Sequence, residues 1–145
     1  MLCEGAGQPI TVTVTPGQQH ESTQVDALLD SVAIGGKPGP KRTRFEAIGG
    51  DKAYDSKNIR DNLRQRRIQP VIAHRKNRQG EYPPEAKRFD KVLYRQRNVV
   101  ERLIGRLKEN RRIATRYEKH AESYRTMIVL GFIRIWIKNL LSYTP

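Results

Sequence analysis

Apolar and polar residues alternate strictly over residues 9–15 (PITVTVT), which puts Ile10, Val12 and Val14 on one face. A period of two predicts a half-buried strand. Ahead of it, EGAGQ (residues 4–8) has turn chemistry, so residues 1–3 are expected to be the opposite arm of a hairpin. Pro16 and Gly17 close the strand. Val25, Leu28, Leu29 and Val32 then follow the i, i+3, i+4, i+7 spacing of a short amphipathic helix. Ser22 or Thr23 is the expected N-cap, and Gly35-Gly36 the expected end. Residues 37–44 (KPGPKRTR) read as a basic loop, and residues 45–50 as a short strand that delivers Asp51 at its end. Ser56 is placed to cap a helix carrying Ile59 and Leu63 to about Arg67. Residues 70–74 (PVIAH) are another short strand, and the polar stretch 75–90, with Gly80, Pro83 and Pro84, is a loop. One long helix is predicted over residues 91–113, and an apolar helix from about Ser123.

Strands alternating with helices predict an α/β sheet. The most apolar stretch, residues 127–141, carries Arg134 and Lys138. It falls short of the roughly 18 uncharged residues that a membrane span needs. It is therefore expected to be a buried core helix, with Phe132, Ile133, Trp136 and Ile137 as core residues. The single cysteine, Cys3, excludes an internal disulfide and fits a reducing compartment. With no leader visible, a cytoplasmic location is expected. His20, His74 and His120 have no ligand spacing with one another or with Cys3, which gives zinc no support.

Charge changes the picture most. Lys and Arg number 28 against 15 Asp and Glu, for a net charge of +13. None of the basic residues lies within residues 1–36, which carry Glu4, Glu21, Asp26 and Asp30. Such asymmetry points to a polyanion, most simply nucleic acid, although basic charge alone also serves solubility.

On a helical wheel of residues 94–112, Tyr94, Arg97, Glu101, Lys108 and Arg112 form a stripe beside an apolar face of Val99, Val100, Leu103 and Leu107. Glu101 has two readings. It can pair with Arg97 at i, i+4, or it can be a metal-binding carboxylate. Asp51, in DKAYD, stands at the C-terminal end of a strand, where α/β sheets place their ligands, or is simply a turn acid. Asp55 is read as a helix N-cap. Asp51 and Glu101 together could serve a hard cation such as Mg²⁺.

The spacing Tyr94-x2-Arg97-x3-Glu101-x6-Lys108 resembles the Y-(2)-R-(3)-E-(6)-K signature of DDE-type bacterial insertion-sequence transposases. GGDKAYDS is similar to that family's segment around its second catalytic Asp, and PITVTVTPGQQHESTQVDALL to the strand and helix that precede it. PVIAHRKNR, RNVVERLIGRLKENRRIATRYEK and the apolar tail are also similar, so the likeness spans nearly the whole chain. The resemblance implies a ribonuclease H-like mixed sheet flanked by helices, and a pair of Mg²⁺ or Mn²⁺ ions held by Asp, Asp and Glu. It implies hydrolysis at insertion-sequence ends followed by strand transfer. Asp51 is then the second acid and Glu101 the third, both catalytic and metal-binding. Tyr94, Arg97, Lys108 and Arg112 are DNA contacts, with packing and support of the site open for Tyr94 and Arg97. The implied partners are double-stranded DNA, a second copy of the chain or the product of an upstream reading frame, and the implied location is cytoplasmic and nucleoid-associated.

The pattern also departs from the family. No residue matches the first catalytic Asp, and Glu4 reads as a turn acid of the hairpin. The expectation is a single partial catalytic domain over residues 1–145, lacking its first strand, with mobile basic loops at about 37–44 and 75–90. Such a chain is expected to be inactive alone. The alternative is a non-catalytic DNA-binding or regulatory remnant.

Overall fold

The computed structural model describes residues 1–32 and 45–142. In chain order these form β1 (Leu2–Cys3), β2 (Pro9–Thr11), α1 (Val25–Asp30), β3 (Ala47–Gly50), α2 (Lys57–Gln65), β4 (Gln69–Ile72), α3 (Lys91–Arg95), α4 (Asn98–Lys108), α5 (Arg111–Thr115) and α6 (Ala121–Ser142). Short 3-10 turns lie at Glu21–Gln24, Lys52–Tyr54 and Pro84–Arg88. The class is mixed α/β, as expected. The chain divides into two compact units, Met1–Val32 with Asn98–Pro145, and Ala33–Arg97. The expected loop at 37–44 and the helix end at Gly35-Gly36 lie outside the described residues.

In the first unit β1 and β2 pair antiparallel, Leu2 opposite Thr11. The connecting turn is closed by Gly7 N–H donating to the Glu4 carbonyl, and Gly7 has a φ of +85°, which glycine adopts without steric cost. The ladder is shorter than residues 9–15 because its partner strand spans only Leu2–Cys3. Val12 and Val14 nevertheless turn toward the core, as their alternation predicted. Leu29 of α1 and Val32, two residues past its end, are buried. The N-cap of α1 is neither Ser22 nor Thr23 but Gln24, which makes no side-chain cap hydrogen bond. The 3-10 turn Glu21–Gln24 ahead of it is capped by the His20 ring, whose Nδ1 accepts the Ser22 amide at 3.3 Å.

The core of this unit joins Leu103 and Leu107 of α4, Ile113 of α5, and Ile128, Phe132 and Ile135 of α6. The α6 residues recur at i, i+4, i+7 and make one helical face. At Gly131 the helices come so close that a Cβ there would lie 2.8 Å from Leu107 Cδ2.

Two sequence expectations fail here. The long helix over 91–113 is three helices. Its first break, at Gln96 and Arg97, falls where one unit gives way to the other. Its second falls at Asn110, whose side chain donates to the Leu107 carbonyl at 3.3 Å and accepts from Arg134 Nη1 at 2.8 Å. The apolar tail is not buried all round. Ile133, Trp136 and Ile137 lie on an exposed face, with Trp136 42 % and Leu140 66 % accessible. The Trp136 indole N–H still finds a partner, donating to the Pro9 carbonyl at 3.0 Å. Among the described residues no helix is long and apolar enough to cross a membrane.

In the second unit β3 and β4 are parallel, Ala47 opposite Gln69 through Gly50 opposite Ile72, with α2 as the crossover. Ser56 caps α2 as predicted, its Oγ accepting the Ile59 amide at 3.3 Å. Leu63 of α2 is buried, as are Ile68, Val71, Ile72 and Ala73 on and around β4.

Candidate functional site

Parallel pairing sends both β3 and β4 toward the same edge, and the residues after their C-terminal ends build a polar cluster there. Asp51 follows Gly50 directly. Its Oδ1 accepts the Ala53 amide at 2.7 Å and so opens the 3-10 turn Lys52–Tyr54. This is the hydrogen bond of a turn acid, and Asp51 remains exposed.

Asp55, at the other end of that turn, is not the N-cap that its position suggested; Ser56 takes that role. Its carboxylate instead gathers three elements. Oδ1 accepts from Arg60 Nε of α2 at 2.8 Å, and Oδ2 accepts the Arg75 amide beyond β4. Arg60 is buried, and its Nη2 also donates to the Ile72 carbonyl at 2.9 Å. Arg75 Nε donates to the Lys52 carbonyl at 2.6 Å. Burial alone would raise the Asp55 carboxyl, but the Arg75 amide and the Arg60 guanidinium outweigh it and hold it below the usual range. His74 Nδ1 lies 3.9 Å from Asp55 Oδ1. Its pKa is lowered, first by burial and then by the Arg60 charge, against the pull of Asp55.

Tyr94 and Arg97 belong to this same unit. The Tyr94 ring meets Phe89 edge-on at 5.0 Å, and Phe89 meets the His74 ring at 6.5 Å. The Arg97 guanidinium stacks over Tyr94 at 5.5 Å. Both are half-buried, and the described contacts are those of packing groups.

Glu101, Lys108 and Arg112 belong to the other unit. Glu101 lies in the first turn of α4, where a carboxylate is favoured by the helix N-terminus. Lys108 ends α4 and is exposed. Arg112, on α5, is held by Glu118, with Nε at 3.0 Å and Nη2 at 2.9 Å from Oε1. The Glu118 side chain is only 7 % accessible against 65 % for Arg112. Its second oxygen, Oε2, is buried without a hydrogen-bond partner. The stripe read from the wheel is thus divided among α3, the following turn, α4 and α5.

Among the described residues no group of three or more His, Cys, Asp or Glu is placed to hold a metal ion. Asp51 and Glu101 do present exposed carboxylates, the hard oxygen donors that Mg²⁺ and Mn²⁺ take. Sequence reasoning missed the Asp55–Arg60–Arg75 cluster and the Arg112–Glu118 pair. Neither has a local signature, since most of the partners lie five or more positions apart and meet only after folding.

The family described as Transposase DDE domain matches residues 1–136. A protein of Burkholderia cepacia, named as a transposase for insertion sequence element IS402, is 30 % identical over 132 residues, covering 90 % of this chain and 58 % of its own length. A protein of Brucella ovis, named as a transposase for insertion sequence element IS6501, is 25 % identical over 144 residues, covering 94 % of this chain and 95 % of its own. The chain therefore spans little more than half of the first relative and nearly all of the second. No solved structure matches it significantly.

Proposed function

The chain belongs to the DDE family of insertion-sequence transposases, and from that premise we propose that it supplies the second and third acids of the catalytic centre, Asp51 and Glu101. The observation that carries the reading is the family match over residues 1–136, which takes in both acids and the whole Tyr94-to-Lys108 signature. The position of Asp51 just past a parallel strand supports it, because open α/β sheets bind ligands beyond the carboxyl ends of their strands.

On this reading the substrate is double-stranded DNA at insertion-sequence ends, and the reaction is phosphodiester hydrolysis followed by strand transfer. Asp51 and Glu101 would hold Mg²⁺ or Mn²⁺. When bound, such a pair of cations stabilises charge on the attacking and leaving oxygens of an in-line displacement. Lys108, exposed at the end of α4, meets a phosphate as a point charge. Arg112 meets one only by sharing its guanidinium with Glu118. Tyr94 and Arg97 serve as packing groups for the polar cluster.

The sheet is proposed to be ribonuclease H-like, with the first acid on a strand that no part of this sequence matches. The 145-residue chain by itself then binds DNA without cutting it, and works with a second copy or with the product of an upstream frame. The test is to fuse a first-strand segment bearing an Asp to Met1 and assay Mg²⁺-dependent nicking of insertion-end duplex. Nicking that disappears in Glu101→Gln supports the assignment, and nicking that survives it refutes the role of Glu101. The second reading, a non-catalytic DNA-binding remnant, draws on the turn-acid hydrogen bond of Asp51, whose Oδ1 accepts the Ala53 amide. It predicts salt-dependent binding and no nicking in any fusion.

A further inference from the structure

The turn that carries Asp51 is short, and its own hydrogen bonds are few. The Ala53 amide reaches the Asp51 carboxylate, Tyr54 N–H donates to the Asp51 carbonyl at 3.2 Å, and Asp55 N–H to the Lys52 carbonyl at 3.2 Å. An exposed three-residue 3-10 turn has poor hydrogen-bond geometry and little intrinsic persistence. Something outside it has to fix where the Asp51 carboxylate points.

Two ties do so, one at each end of the turn. At the far end, both oxygens of Asp55 are engaged, Oδ1 by Arg60 Nε and Oδ2 by the Arg75 amide. Arg60 in turn anchors on the Ile72 carbonyl, the last residue of β4. At the near end, Arg75 Nε holds the carbonyl of Lys52, the residue next to Asp51. The path from β4 to Asp51 thus runs through charge-assisted bonds, the stronger kind. A Cβ at Gly50, just before Asp51, would meet Tyr54 at 3.4 Å and Ile72 at 3.5 Å, so these side chains lie close to the start of the turn.

We infer that Asp55, Arg60 and Arg75 are positioning residues for Asp51, a brace that holds the turn 51–55 in one arrangement so that its carboxylate is presented for a cation. This rests on the reading of Asp51 as a metal-holding acid. Asn cannot replace Asp55. It accepts with one oxygen only, and its NH₂ would face either the Arg60 or the Arg75 donor. Arg75→Ala removes the tie to Lys52 while leaving the backbone amide bond to Asp55 in place.

The test uses the 145-residue chain, ¹⁵N relaxation and Mn²⁺ alone as the probe. In the native chain the amides of residues 51–54 have rigid order parameters, about 0.85. In Asp55→Asn, and independently in Arg75→Ala, they fall toward about 0.6 while those of β3 and β4 keep their values. Paramagnetic broadening by Mn²⁺ at these amides then needs on the order of tenfold more metal, an expectation of about 1.4 kcal/mol by the usual conversion. Arg75→Lys restores part of the order, because an ammonium can still donate to the Lys52 carbonyl. The brace is refuted if residues 51–54 stay rigid in Arg75→Ala, or if the strand amides loosen in step with them, which is what a merely structural role predicts. Asp51→Asn separates the two ideas. If Mn²⁺ broadening there equals that of the native chain, the metal role of Asp51 fails, and the order parameters still decide the brace.

Discussion

Asp55 Oδ1 lies 2.7 Å from Arg60 Nη2, and the two side chains are only 13 % and 9 % accessible. A charge pair this far out of water stabilises a fold modestly while intact and costs a great deal when halved. Arg60→Ala is expected to destabilise the unit by about 3 kcal/mol, since it leaves a carboxylate without its charged partner. The exposed Arg64–Asp61 pair at 3.2 Å is the internal control, and its loss should cost less than about 1 kcal/mol. Urea denaturation of the two variants checks the contrast.

The same cluster sets a pH dependence. Both Asp55 and His74 have lowered pKa values in the folded chain. The unfolded state therefore binds more protons than the folded one, and stability rises with pH. The His74 contribution is fully present above about pH 6.5 and is lost as pH falls through its lower folded value. The Asp55 contribution is present above about pH 4 and is lost as pH falls further. Urea midpoints measured from pH 7 to pH 3 should decline in these two stages, and His74→Gln should remove the first one alone.

Gly131 faces Leu107 and Ile113 across a gap with no room for a methyl group, with Cβ distances of 2.8 and 3.1 Å. Alanine there favours the helix by up to about 1 kcal/mol. Overpacking a buried contact costs about 1–3 kcal/mol. Leu107 is itself buried and has little freedom to yield, so Gly131→Ala should destabilise the chain on balance. Thermal melting gives the sign.

On the proposed function, the salt dependence of duplex binding should separate two residues that the sequence offered together as DNA contacts. Lys108 is exposed at the end of α4, whereas Arg112 is already held by Glu118. In duplex-binding titrations against salt, Lys108→Ala should lower the slope of log K by about 1. Arg112→Ala should lower it less. Equal effects would mean that the Arg112–Glu118 pair opens on binding.

Local patterns carried the elements well where one residue's neighbours decide its state. The alternation over residues 9–15 turns Val12 and Val14 to the core although the strand itself ends at Thr11, and Ser56 sits one position ahead of α2 with its oxygen on Ile59. They failed where distant partners decide. The long helix read over 91–113 breaks at Asn110, whose side chain is held by Arg134, 24 residues away. The apolar tail reads as buried throughout, yet only its Ile128, Phe132 and Ile135 face meets α4 and α5. At the candidate site, the strand-end location of Asp51 was legible and its turn hydrogen bond was one of the alternatives. The brace was not, because Asp55 looks like any acid before a helix until Arg60 and the Arg75 amide close on it.

The central proposal is that Asp51 and Glu101 are each ligands of divalent cations. Fe²⁺ can stand in for Mg²⁺ on carboxylate oxygens, and with ascorbate and peroxide it cuts the backbone near where it is bound. The account predicts cuts next to residues 51 and 101 of the native chain, suppressed by excess Mg²⁺ and lost in Asp51→Asn and Glu101→Gln respectively. Cuts elsewhere, or cuts at these positions that persist in both variants, would contradict it.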